Sequence, residues 1–291
     1  MMRVVEFRQC SVSSGDFALR ELNFHVESGY ITGLIGPNGA GKTTLIRSIM
    51  NMIRPKAGEV LLFGQSYREH EREIKRRIGF VYDEDFYYNH LSIREMKKII
   101  ASFYPTWNDA VFQQHLQQFG LPERKKIRDL SKGMKTKFAL AAALAHEPEL
   151  LIMDEPTSGL DPVFRREILS ILSAYIRDGS KSVLFSTHIS TDLERIADYI
   201  LYMGRGRLQF CGTKEELLES YVLVKGPLAL LQADRFPFQG LRQTALGFEA
   251  LLSKQYVSAD TFESPFIVEK PSLDDIIVYT QEGSRNGPAA S

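Results

Sequence analysis

Apolar positions along the chain switch repeatedly between a two-residue and a roughly four-residue period. Leu22-Asn23-Phe24-His25-Val26 alternates like a half-buried strand, and Ile31-Thr32-Gly33-Leu34-Ile35 is a short apolar run entering Gly36-Pro37-Asn38-Gly39. Leu45, Ile49 and Ile53 then recur on one helix face, with Ile46 and Met50 beside them, until Pro55 and Gly58 stop the pattern. Glu59–Gly64 and Ile78–Tyr82 predict further strands. Ser92-Ile93-Arg94-Glu95 has the form of a capping box, and helical spacing continues through Phe112, Leu116 and Phe119 to Gly120. A further helix is predicted over Phe138–Ala145, closed by Pro148.

Strands and helices alternate beyond that point. Leu150-Leu151-Ile152-Met153 is wholly apolar, as a buried parallel strand is. Asp161-Pro162 fits an N-cap followed by proline at the first helical position. Ser182–Ser186 and Tyr199–Met203 read as strands, and Thr191-Asp192-Leu193-Glu194 and Thr213-Lys214-Glu215-Glu216 as capping boxes. The alternation predicts an α/β fold whose mostly parallel sheet carries helices on both faces. From Tyr221 onward, Gly226, Pro227, Pro237, Gly240, Pro265 and Pro271 cut the chain into short pieces, which predicts a small α+β extension.

The chain has 291 residues, 44% hydrophobic and 25% charged, an ordinary globular balance that excludes disordered, collagen-like and coiled-coil classes. Thirty-six Lys and Arg against 36 Asp and Glu leave no net charge, so nothing points to nucleic acid as a partner. No apolar run is long enough to span a bilayer, and the charges in Met1–Arg8 come too early for a signal peptide. Two cysteines, Cys10 and Cys211, make no disulfide framework and read as free thiols in a reducing cytosol.

Gly36-Pro37-Asn38-Gly39-Ala40-Gly41-Lys42-Thr43 satisfies G-x-x-x-x-G-K-[ST], the P-loop or Walker A pattern, between a predicted strand and a predicted helix. Glycines let successive amides point into one concavity, and the helix N-terminus adds a positive dipole end. Lys42 is expected to reach the β- and γ-phosphates, and the Thr43 hydroxyl to ligate Mg2+, with Thr44 beside it. Asp154 ends an apolar strand, where it would hold Mg2+, and Glu155 would take a proton from the attacking water.

These motifs, in this order, resemble the ABC ATPases. Leu130-Ser131-Lys132-Gly133-Met134 resembles their L-S-G-G-Q signature, Ser158-Gly159-Leu160-Asp161 the D-loop, and Ser186-Thr187-His188 the switch histidine. The likeness covers about residues 1–215 and excludes a kinase or GTPase, which lack the signature. It implies an ATPase domain over 1–220 with an antiparallel β subdomain and a helical subdomain at about 84–133. The extension would span 221–282 and a disordered tail 283–291.

The resemblance also implies that two subunits, in a homo- or heterodimer, sandwich ATP between one P-loop and the partner's Ser131 and Gly133. His188 would contact the γ-phosphate. Lys132 and Met134 depart from the signature. Asp83 stands where the family has its Q-loop glutamine and is a candidate Mg2+ ligand, and Phe17 is the candidate for the adenine-stacking aromatic. Phe86–Leu91 corresponds to the region that receives a coupling helix from a separate transmembrane permease, local core being the other reading of that cluster. L-S-K-G-M-K and Pro271–Ile276 resemble the bacterial export branch, which includes the YtrB-like ATPases, at the cytoplasmic face of the membrane. The alternative is a soluble, non-transport ABC ATPase of the iron–sulfur assembly type.

Overall fold

The computed structural model of the chain describes residues 2–15, 17–82, 86–231, 236–257 and 265–286. It divides into two compact units, Met1–His188 with Ile196–Gln209, and Ile189–Arg195 with Phe210–Ser291.

The first unit begins with a long hairpin, β1 (Arg3–Ser14) and β2 (Phe17–Glu27), followed by β3 (Ile31–Ile35) and α1 (Lys42–Ile49). Next come β4 (Ala57–Leu62), β5 (Gln65–Ser66), α2 (Tyr67–Arg76) and β6 (Ile78–Val81). The helices α3 (Ile93–Ala101), α4 (Asp109–Gln118) and α5 (Lys132–Leu144) lead into β7 (Leu150–Asp154), α6 (Pro162–Tyr175) and β8 (Ser182–Thr187). After α7 (Ser190–Ile196) the chain returns through β9 (Tyr199–Gly204) and β10 (Arg207–Thr213).

Two sheets form this unit. One is antiparallel, in the order β2-β1-β4-β5; the other runs β10-β9-β3-β8-β7-β6, with β9, β3, β8, β7 and β6 mutually parallel. The all-apolar stretches explain the second sheet: every residue of β3, β7 and β8 is buried, as a sheet covered on both faces requires. Leu34, Leu45, Ile46, Ile49, Leu150, Ile152, Leu184 and Leu201 fill one core between the sheets and α1. Each such side chain contributes about 1.5–3 kcal/mol by leaving water. Because β3, β8 and β7 are parallel neighbours, their carboxyl ends emerge side by side. That arrangement brings the three loops carrying the motifs to one edge of the sheet.

Two local expectations need correcting. The helix predicted through Ile53 stops at Ile49, because Asn51 adopts a left-handed conformation (φ 57°) that a helix cannot continue, although Ile53 still packs on the core. Thr191–Glu194 is not a capping box. α7 already begins at Ser190, so Thr191 lies inside the helix, and the Glu194 carboxylate accepts the amide of Leu273 at 2.7 Å instead. The boxes at Ser92/Glu95 and Thr213/Glu216 are both formed.

The second unit contains α7, α8 (Lys214–Glu219), β11 (Tyr221–Gly226), β12 (Gly240–Thr244), β13 (Gly247–Ser253), β14 (Ile267–Glu269) and α9 (Leu273–Asn286). Its sheet is antiparallel, in the order β12-β13-β11-β14. Lys225 bridges Glu249 at 2.9 Å and Glu269 at 2.8 Å across it. The buried Tyr279 of α9 donates to Glu249 at 2.9 Å, while Ser272 and Asp275 bond reciprocally at the start of that helix. α9 continues to Asn286, into the stretch expected to be a disordered tail, since the first proline beyond Pro271 is Pro288. Among the described residues no helix is long and apolar enough to cross a membrane.

Candidate nucleotide site

The site is built at the carboxyl edge of the parallel sheet. β3 delivers the chain into Gly36, where a Cβ would lie 2.3 Å from the Met203 carbonyl oxygen, so no side chain fits. Gly41 caps α1 at φ 107°, and its missing Cβ would meet Leu19 at 2.5 Å and the Phe17 ring at 2.9 Å. Only glycine combines that backbone angle with that close approach. Lys42 opens α1 and is 7% exposed; its Nζ donates to the Gly36 carbonyl at 2.9 Å and to that of Pro37 at 3.4 Å. The loop is thereby curled around its own lysine ahead of a helix N-terminus, a geometry that binds anions.

A cleft of about 550 Å³ lies over this loop, lined by Asn38, Gly39, Ala40, Gly41, Lys42, Thr43 and Thr44 and also by Phe17, Glu155, Ser158 and His188. Gly36 does not line it; its carbonyl holds Lys42. The opposite wall comes from the ends of β7 and β8. Asp154 is 2% exposed at the last position of β7. Glu155 follows at φ 48°, a left-handed angle that turns the chain sharply out of the strand. Its Oε1 lies 3.5 Å from Lys42 Nζ, and its Oε2 lies 2.7 Å from His188 Nδ1. A cation, a carboxylate and an imidazole thus meet at the mouth of a loop of backbone donors. The arrangement can neutralise a polyphosphate and supply a base to a water beside it.

One further side chain, outside every motif role above, joins the site. Ser186, at 0% exposure, faces Asp154 in the strand register and donates its hydroxyl proton to Asp154 Oδ1. The same hydroxyl accepts the Glu155 amide at 3.0 Å. The available signal was a serine pair closing the otherwise apolar Val183-Leu184-Phe185.

The other expected residues lie elsewhere. Ser131 is the N-cap of α5, accepts the Met134 amide at 3.3 Å, and is exposed; neither it nor Gly133 lines the cleft. Asp83 lies outside the described residues. Asp161 caps α6, accepting from Phe164 at 2.9 Å and Val163 at 3.0 Å, and those amides hold its carboxyl below the usual range. The aromatic cluster is divided. Tyr87 packs edge-on against the buried Phe138 at 4.9 Å, whereas Phe86, 69% exposed, stacks on Tyr82 at 5.3 Å. Together they border a second cavity of about 550 Å³, with Met52, Phe80 and Leu130 on its walls and Lys132 and Lys135 at its edge.

Residues 19–158 match the ABC transporter family. The chain is 36% identical over 211 residues to the bacitracin transport ATP-binding protein BcrA of Enterococcus faecalis, covering 72% of this chain and 68% of that protein. It is 29% identical to the ABC transporter ATP-binding protein YtrB of Bacillus subtilis, covering 76% of each. Its fold is similar to that of a solved ATP-binding subunit of an ABC transporter, with a TM-score of 0.68 and 28% identity over 74% of this chain and 91% of that one. With a P-loop, a paired carboxylate and a histidine converging on one cleft, the chain belongs to the ATP-binding, ATP-hydrolysing subunits of ABC transporters.

Proposed function

We propose that this subunit powers export through a separate transmembrane permease, and that it works paired with a second ATPase subunit, either a copy of itself or a relative. ATP would lie in the cleft with its β- and γ-phosphates against the amides of Asn38–Thr43 and against Lys42, and its base against Phe17. The partner's signature would close the cleft through residues equivalent to Ser131 and Gly133. The observation that carries the reading is Glu155, whose carboxylate touches both Lys42 and His188 at the mouth of the cleft. Ser131 and the N-terminus of α5 support the pairing, since an exposed helix N-terminus with a capping hydroxyl suits a phosphate on another chain.

Asp154 and Thr43 fit a magnesium ion: a carboxylate and a hydroxyl are hard oxygen donors, and the Asp154 carboxyl is buried with Ser186 holding one oxygen. Asp83 would join them. Bound there, Mg2+ would offset phosphate charge. Glu155 accepts the proton of a water aligned with the γ-phosphorus, and His188 Nδ1 holds the Glu155 carboxylate in place for it. Lys42 draws charge from the phosphate as the bond breaks.

The permease would dock at the groove beside Phe86 and Tyr87, at the cytoplasmic face of the membrane. Residues 1–220 would form the ATPase domain and 221–282 a separate extension. The bacitracin-transport relative favours a transporter over the iron–sulfur assembly alternative.

The test is a mass measurement of the Glu155→Gln chain with Mg2+ and ATP. A doubled mass is expected, reverting to one chain when Ser131→Arg is added. One chain in both cases, with ATP bound, contradicts self-pairing and leaves a relative as partner. Capture of the permease from membranes by the full chain, weakened by Phe86→Ala, tests the groove.

A further inference from the structure

We infer that Ser186 is a positioning residue that sets the two acidic side chains of the site at once, holding Asp154 for the divalent cation and Glu155 for the water. This rests on the assignment of Asp154 to the metal made above.

A serine hydroxyl has one proton to donate and lone pairs to accept with. Ser186 gives its proton to Asp154 Oδ1 and receives the Glu155 amide at 3.0 Å, so both capacities are used on consecutive residues of the opposite strand end. No solvent reaches it, at 0% exposure, so water cannot take over either bond. The two bonds act where the chain needs them most. Asp154 is the last residue in strand register, and Glu155 is bent to φ 48°, where a residue with a side chain is unfavourable. The amide of a residue in that conformation no longer has a strand partner, and the Ser186 hydroxyl replaces it. Ser186 engages Oδ1 of Asp154 and so restricts which way the carboxyl faces. Fixing the Glu155 backbone carries its carboxylate to Lys42 and His188.

Ser182 provides an internal comparison. It lies on the same strand, is equally buried, and accepts the Gly29 amide at 3.0 Å, at the opposite end from the site. Loss of its hydroxyl removes a buried hydrogen bond without touching the acidic pair.

The experiment uses the full chain and Mn2+ as the probe, its binding in the presence of ADP read by electron paramagnetic resonance, alongside melting temperature and steady-state hydrolysis. Ser186→Ala is expected to weaken Mn2+ about tenfold or more and to lower kcat by a similar factor, the size expected for a hydrogen bond to a charged group, with metal-free ADP affinity within about twofold. Ser186→Thr, which keeps the hydroxyl, restores Mn2+ binding. Ser182→Ala lowers the melting temperature but leaves Mn2+ affinity unchanged. Should the alanine variant fail to fold, Ser186→Cys carries the test, since a thiol fills the space but bonds weakly. Parent-like Mn2+ affinity in the alanine or cysteine variant, or an equal loss in Ser182→Ala, overturns the inference. Asp154→Asn separates the two levels. If it too binds Mn2+ like the parent, the metal assignment itself fails; if it alone loses Mn2+, only the role of Ser186 fails.

Discussion

Glu155 is the residue on which the proposed chemistry turns. It is held from three sides: its amide by Ser186, and its carboxylate by Lys42 and His188. Removing the negative charge while keeping the shape, as in Glu155→Gln, is predicted to cut hydrolysis by about 10²–10⁴-fold with nucleotide still bound, measured by phosphate release against nucleotide affinity. Phe17 is tested separately. Its ring lies against Gly41 at the floor of the cleft, so Phe17→Ala is predicted to weaken ATP about tenfold with kcat little changed. At this scale the sequence was most legible where the chemistry is contiguous. Gly36 through Thr43 could be read directly, because one loop and one helix start supply the whole cradle. Ser186 could not, because a serine at a strand end is ordinary until the neighbouring strand is known to place Asp154 across from it.

Among elements, β3, β7 and β8 fix the site, since their parallel register decides that three distant loops meet. Their apolar runs made them legible; the hairpin of β1 and β2 was seen only in part, through Leu22–Val26, because β1 mixes polar and apolar residues over its whole length. α7 departs from its sequence pattern for a different reason: Thr191 and Glu194 have the spacing of a capping box, but Ser190 starts the helix one residue earlier and α9 recruits the glutamate.

The end of α5 carries a pH-sensitive packing element. His146 stacks on Tyr104 at 3.8 Å and is 3% exposed, and burial pushes its imidazole down to about 4, against a hydrogen bond with the Arg76 backbone that pulls the other way. The folded chain therefore favours the neutral ring. Its contribution is complete above the unfolded value near 6.5 and is lost as pH falls towards 4. A melting series from pH 7 to about 4 is predicted to fall more steeply for the parent than for His146→Phe, by an amount on the order of 2–3 kcal/mol at the acid end. Parallel slopes would remove His146 from the account.

For the whole molecule, the zero net charge conceals strong local charge: Lys42 faces Glu155 within one cleft. Within the second unit, α7 is tied to α9 through Ser190–Asp274 at 3.1 Å and the Glu194–Leu273 bond. Its sheet joins strands far apart in sequence, such as β11 with β14, which is why only its broken character and not its pairing could be read from the chain. The central claim is that the cleft formed by the P-loop, Glu155 and His188 hydrolyses ATP. Single-turnover hydrolysis of bound ATP, comparing the parent with Glu155→Gln at equal nucleotide occupancy and saturating Mg2+, tests it most directly. The account predicts Mg2+-dependent phosphate release from the parent and ATP retained intact by the variant. Equal rates in the two chains, or no hydrolysis by the parent with its ATP bound, would contradict it.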